Sequence, residues 1–198
     1  PAYQSLLAGV KSGRMAQSTD APEAARPYLI SAIWRHLEAP VLVVVPRPED
    51  ARRLHDQILT YVGEDSSIYL FPEPEVLPFE RLVADAATNN ERMLVLAALA
   101  QIESGKSSET DGHRRHPLVV TSVAAAVRKT LAPDAFKSAI HTLGVGDRVV
   151  LGELFSRWVD LGYRREEGVE VPGTFNHRGG IVDIYSPSSS LPARVEFW

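Results

Sequence analysis

The chain has 198 residues, enough for one large domain or a medium domain with a small one, and its 44% hydrophobic content supports a buried core. A formal net charge of −4 provides no global basic field toward nucleic acid or an anionic membrane, so any DNA contact has to be local. The lack of cysteine excludes disulfides, thiolate catalysis and cysteine-ligated zinc; with no apolar run of membrane-spanning length and no charged-then-apolar leader, the expectation is a cytoplasmic protein without a membrane partner.

Tyr3 to Leu7 predicts a short helical turn, followed by a glycine-punctuated link from Gly9 to Met15. Thr19 or Asp20 is the expected N-cap of the next helix, with Pro22 and Glu23 in its first turn and Pro27 distorting its start. Its amphipathic run comprises Tyr28, Leu29, Ile30, Ala32, Ile33, Trp34 and Leu37. Val41 to Val45 is a continuous apolar run, the pattern of a strand buried on both faces of a parallel sheet. From Glu49, apolar residues at helical spacing (Ala51, Leu54, Ile58, Leu59, Val62) predict a helix that stops at Gly63. Ser67 to Phe71 is a second buried strand, and the alternation of helix and strand indicates a layered α/β domain.

Three prolines between Pro72 and Glu80 exclude regular structure there. Asn89 to Ile102 reads as a helix with Met93, Leu94, Leu96, Ala97 and Leu99 on its buried side, and the polar stretch from Glu103 to His116 reads as a mobile loop. Pro117 to Thr121 is a third buried strand, and Ser122 is placed to cap a helix from Val123 to Leu131. Residues 133–147 lack a strong pattern and form the candidate boundary between a domain at 1–137 and a second at 138–198.

Val149 to Leu161 predicts an amphipathic helix packed on a small antiparallel sheet of three short strands, drawn from Gly162 to Arg165, Val169 to Tyr185 and Ala193 to Trp198. Gly179-Gly180 marks a bulge or a close backbone approach. Ending at Phe197-Trp198 inside a strand predicts a truncated second domain and a fragment of something longer. The sheet gathers Arg164, Arg165, Phe175 and Arg178 from separate segments, the composition of a protein-docking patch. Composition alone favours the alternative, a solvated sheet face over a buried Phe175. Asp183, between apolar neighbours, is expected to pair with an arginine of the patch.

Gly162-Tyr163-Arg164, the Pro172-Gly173-x-Phe175 turn, the Arg178-to-Ile184 strand and Arg194-Val195-Glu196-Phe197 resemble the second domain shared by the UvrB and transcription-repair coupling factor family. That resemblance implies UvrA as partner, with Arg164 and Arg178 matching the family pattern best, Phe175 in the connecting turn and Arg165 as the weaker match; Asn176 stands where UvrB commonly has a further arginine. Val41 to Val45, Arg53-Leu54, Leu70-Phe71-Pro72 and Pro117 to Val123 resemble the family's first domain, which implies a RecA-like three-layer α/β/α module. UvrB carries a working phosphate loop in that module, whereas this chain reads Thr19-Asp20-Ala21-Pro22-Glu23-Ala24-Ala25-Arg26-Pro27 at the corresponding place. Two acidic side chains repel a triphosphate and two prolines withdraw N–H donors, so the expectation is a degenerate module with no nucleotide site and no cofactor.

The remaining chemistry is thin. The six histidines show no metal-ligand spacing, there is no Gly-x-Ser-x-Gly elbow, and Glu73, Glu75 and Glu80 read as solvated. The resemblance implies a non-catalytic fragment, in an intact protein that also engages RNA polymerase and double-stranded DNA through other domains as an ATP-driven translocase. Two further readings are an NTPase fragment with an unorthodox phosphate loop at Gly9 to Gly13, and direct DNA binding through Arg114-Arg115 and the arginine patch.

Overall fold

The computed structural model describes residues 2–13, 19–63, 67–74, 86–103, 109–110, 113–114, 116–189 and 191–198. Its architecture is mixed α/β. In chain order the first elements are α1 (Ala2–Lys11), a 3₁₀ turn (Glu23–Ala25), α2 (Arg26–His36), β1 (Val41–Val45), α3 (Pro48–Val62), β2 (Ile68–Phe71) and α4 (Ala86–Glu103). There follow β3 (Glu109–Thr110), β4 (His113–Arg114), β5 (Leu118–Ser122), α5 (Val123–Ala126), α6 (Pro133–Ala139), α7 (Leu151–Asp160), β6 (Arg164–Arg165), β7 (Thr174–Arg178), β8 (Ile181–Tyr185) and β9 (Ala193–Glu196). Two compact units emerge, Pro1–Glu73 with Gln101–Arg128, and Pro74–Ala100 with Lys129–Trp198. This grouping places residues 74–100 with the C-terminal segment, where a linear boundary at 137/138 keeps them with the first.

The first unit holds a parallel sheet of order β1-β5-β2, with Val43 and Leu70 both opposite Val120. Trp34, Ala51, Ile58, Ile68, Leu118 and Val120 form its core, and each fully buried aliphatic side chain contributes about 1.5–3 kcal/mol. Trp34 Nε1 donates to the His116 carbonyl at 2.7 Å, which satisfies the one polar atom of the indole. All of β5 is buried, as a central strand requires. β1 departs from expectation: Val41, Val43 and Val45 face the core, but Leu42 and Val44 are 64% and 47% exposed. A run of five aliphatics looks the same at a sheet's centre and at its edge, and β1 is an edge.

α3 ends at Gly63, whose φ of 85° suits glycine, and Ser122 Oγ accepts from Ala125 N at 3.1 Å, as its N-cap position predicts. Five local expectations are corrected. α1 runs through Gly9 to Lys11 instead of stopping before it. α2 starts at Arg26, with Pro27 in its first turn and no side-chain cap from Thr19 or Asp20, because a proline there loses no needed donor. α5 ends at Ala126, and the stretch that follows carries Val127 and Leu131 at 74% and 57% exposure, so little burial supports a longer helix. Glu109–Thr110 and His113–Arg114 pair as antiparallel strands inside the stretch expected to be a loop. Among the described side chains of α4 the buried positions are Thr88, Arg92, Val95 and Ala100, offset from the expected face of Met93, Leu94, Leu96, Ala97 and Leu99.

In the second unit α6, within a stretch without apparent pattern, buries Phe136. The sheet has four strands in order β6-β7-β8-β9, one more than expected, and it is mixed: β6 and β7 are parallel, the other pairs antiparallel. Arg164 N donates to Gly173 O and Glu166 N to Phe175 O, so the segment between β6 and β7 loops fully back instead of forming a hairpin. Leu154 and Trp158 of α7 pack on Phe175 and Val182, which confirms the amphipathic helix on the sheet. Gly179 turns with φ 61°, and at Gly180 an added Cβ meets Phe197 O at 2.5 Å. Gly180→Ala is therefore expected to lower the stability of this unit by about 1–3 kcal/mol, seen as a lower urea midpoint at constant slope. An unchanged midpoint would mean that the end of β9 yields freely.

Candidate docking face on the C-terminal sheet

Side chains alternate across a strand, so register sorts every residue of this sheet onto one of two faces. Phe175, His177, Val182 and Ile184 share the face that α7 covers, where Phe155 lies 5.5 Å from the Phe175 ring and 4.6 Å from the His177 ring. The opposite, outer face carries Asn176, Asp183 and Arg194 in one cross-strand row and Arg178, Ile181 and Glu196 in the next. Arg164 joins it through its pairing with Thr174. Glu167, Asn176, His177, Arg178, Ile181, Asp183 and Arg194 line a shallow depression there.

Of the four residues expected in the docking patch, the sheet brings together two. Arg164 and Arg178 share the outer face and are exposed. Four residues of β7 separate their rows, roughly 13 Å, which is too far for the two guanidiniums to share a single carboxylate. Arg165 pairs with Phe175 and therefore faces the other way, exposed at the sheet edge. Phe175 is corrected from docking to structural: it is 2% exposed, with Trp158 edge-on at 5.3 Å. Its apolar ring is worth more in the core than beside charged arginines in water.

The electrostatics differ among the arginines. Arg164 is paired with Glu166 at 3.5 Å, an exposed contact of small energetic weight. Arg178 has no ion pair among the described residues and is the freest cation of the face. Asn176 is committed to the scaffold, donating to the Glu167 carbonyl at 3.1 Å and accepting from His177 N.

Asp183 is paired as expected, but its partner is Arg194, outside the anticipated patch. The guanidinium donates twice, Nε to Oδ1 at 2.7 Å and Nη2 to Oδ2 at 2.9 Å. Arg194 was missed as a site residue because nothing local to it reveals which β8 residue it opposes. These hydrogen bonds, with the charges of Arg194 and Arg178, hold the Asp183 carboxyl below the usual carboxylate range, while Asp183 raises Arg194. A depressed folded-state value means that the stabilisation is present above the unfolded value and lost as pH falls through the folded one. The unit should lose stability in acid below about pH 4, and Asp183→Asn should flatten that limb in a urea series across pH. An unaltered acid limb would assign it to other carboxylates.

The sites considered in the first unit resolve differently. At Gly9 to Gly13, Ser12 N donates to Ala8 O, Gly13 N to Val10 O and Ser12 Oγ to Gly9 O, so the donors of an unorthodox phosphate loop are already spent within the helix end. Glu23 accepts from Arg53 at 3.1 Å, which itself reaches Asp50 at 3.0 Å. Glu73 pairs with Arg128 at 3.4 Å; Glu75, Glu80, Arg115 and the side chains of His113 and Arg114 lie outside the described residues. No helix among the described residues is long and apolar enough to cross a membrane.

Residues 142–198, which contain α7 and the whole sheet, match the family described as the UvrB interaction domain. The chain is 33% identical over its full length to the transcription-repair-coupling factor of Mycobacterium tuberculosis (strain CDC 1551 / Oshkosh), covering 15% of it. It is 31% identical over 99% of its length to that of Bacillus subtilis (strain 168), covering 16%. It is also 26% identical over its full length to the UvrABC system protein B of Thermotoga maritima, covering 30%. The chain thus spans about a sixth of the length of the coupling factors it matches.

Proposed function

We propose that this chain, which corresponds to the N-terminal region of the transcription-repair coupling factor family, is a non-catalytic docking module that recruits UvrA in nucleotide excision repair. The observation that carries the reading is the outer face of the C-terminal sheet, where Arg164 and Arg178 stand exposed on one rigid surface within the segment that matches the UvrB interaction domain. Guanidiniums on a sheet are preorganised for carboxylates, and a rigid scaffold lowers the ordering cost of binding. In this reading the longer cytoplasmic protein engages RNA polymerase and double-stranded DNA through parts beyond this chain, and the first unit performs no turnover. Co-elution of the chain with purified UvrA on size exclusion tests the reading; separate elution at micromolar concentrations of both would end it.

The spent donors at Gly9 to Gly13 argue against the NTPase alternative. Millimolar magnesium and ATP are expected to leave the melting temperature of the chain unchanged, and a rise by binding linkage would reinstate a nucleotide site.

A further inference from the structure

The outer face poses a problem of discrimination, because three guanidiniums, Arg164, Arg178 and Arg194, occupy one side of a small sheet. Clustered exposed arginines attract nucleic-acid phosphates, since each phosphate neutralised releases counterions. Asp183 sits within this cluster. It lies directly across from Arg194, which it binds through both oxygens, and on the diagonal from Arg178 across the β7–β8 pair.

We propose that Asp183 is the specificity-determining residue of the docking face: its carboxylate occupies the fork of Arg194 and lies beside Arg178, barring nucleic-acid phosphate from the arginines that a protein partner uses. A phosphate approaching the centre of the face meets a fixed negative charge and an arginine fork already filled. A protein partner can leave that centre untouched and place carboxylates on the outlying Arg164 and Arg178, roughly 13 Å apart along the strand. Discrimination of this kind rests on a repulsive element as much as on the attractive ones. The inference builds on the docking reading for its purpose, but its physical content concerns DNA alone and is tested without UvrA.

The test measures binding of the whole chain to a random-sequence duplex by fluorescence anisotropy across a salt series. Asp183→Asn is compared with wild type and with Asp160→Asn, which makes the same charge change at an exposed position on α7. Asp183→Asn is expected to bind DNA more tightly than both, with a salt slope steeper by about one, so that its advantage grows roughly threefold when salt falls from 200 to 50 mM. Adding Arg194→Gln to Asp183→Asn is expected to cancel most of the gain. Thermal melts accompany each variant, and for any variant that does not melt cooperatively the comparison moves to Asp183→Ser. Equal DNA affinity and slope for the Asp183 and Asp160 variants, in folded protein, overturns the proposal.

Discussion

Phe175→Ala is expected to destabilise the C-terminal unit by about 3–5 kcal/mol, the range for removing a buried aromatic ring from a packed core. The ring is 2% exposed and its neighbours are the aromatic side chains of α7, Phe155 stacked at 5.5 Å and Trp158 edge-on at 5.3 Å. Truncation leaves a cavity between helix and sheet that these large rings cannot refill without leaving their own contacts. Amide exchange along β7 and β8 reads the effect directly. A loss of about 3 kcal/mol lowers protection by two orders of magnitude where exchange follows opening of the unit. Protection within threefold of wild type would contradict its core placement. A binding screen that scored only UvrA capture would register Phe175→Ala as a contact residue, although its effect is loss of the surface that carries the arginines.

Arg178→Ala is the second large expected effect, and in the docking reading it acts on affinity without unfolding. Arg178 ends β7 on the outer face with no ion pair among the described residues, so its removal abandons no internal carboxylate. If UvrA buries a carboxylate against it, truncation costs about 2–5 kcal/mol of binding free energy, and much less if the contact stays at a wet rim. Arg164→Ala is expected to cost less than Arg178→Ala, because Glu166 competes for the guanidinium in the free chain. Arg165→Ala, on the opposite side of the sheet, is expected to be near neutral. A larger loss from Arg165 than from Arg178 would move the interface to the other face.

Much of this was legible from residue pattern. The apolar spacing from Ala51 to Val62 and the stop at Gly63 define α3, Ser122 caps the helix after β5, and Gly179-Gly180 marks the turn from β7 to β8 and the close backbone approach to Phe197. What was not legible depends on partners distant in sequence. An unbroken aliphatic run does not say whether a strand is central, so the exposure of Leu42 and Val44 on β1 is not written in the pattern. The parallel pairing of β6 with β7 is written in the path of the loop between them, and the pairing of Asp183 with Arg194 in the register of β8 with β9. Phe175 and Arg178 are three residues apart in one strand, an odd separation, and Arg164 and Arg165 are adjacent. Strand geometry alone puts the members of each pair on opposite faces. Parity shows that the four candidates cannot share one face, and the register of β6 on β7 then selects Arg164 as the partner of Arg178 on the outer face.

The central claim is tested most directly by calorimetric titration of the chain into purified UvrA, with the Arg164→Ala, Arg178→Ala double variant alongside and its fold checked by near-ultraviolet circular dichroism. The account predicts measurable binding by the wild type and its loss in a folded double variant. Undiminished binding by that variant would contradict the outer face as the docking surface, and a folded wild type that does not bind UvrA would contradict the docking function itself.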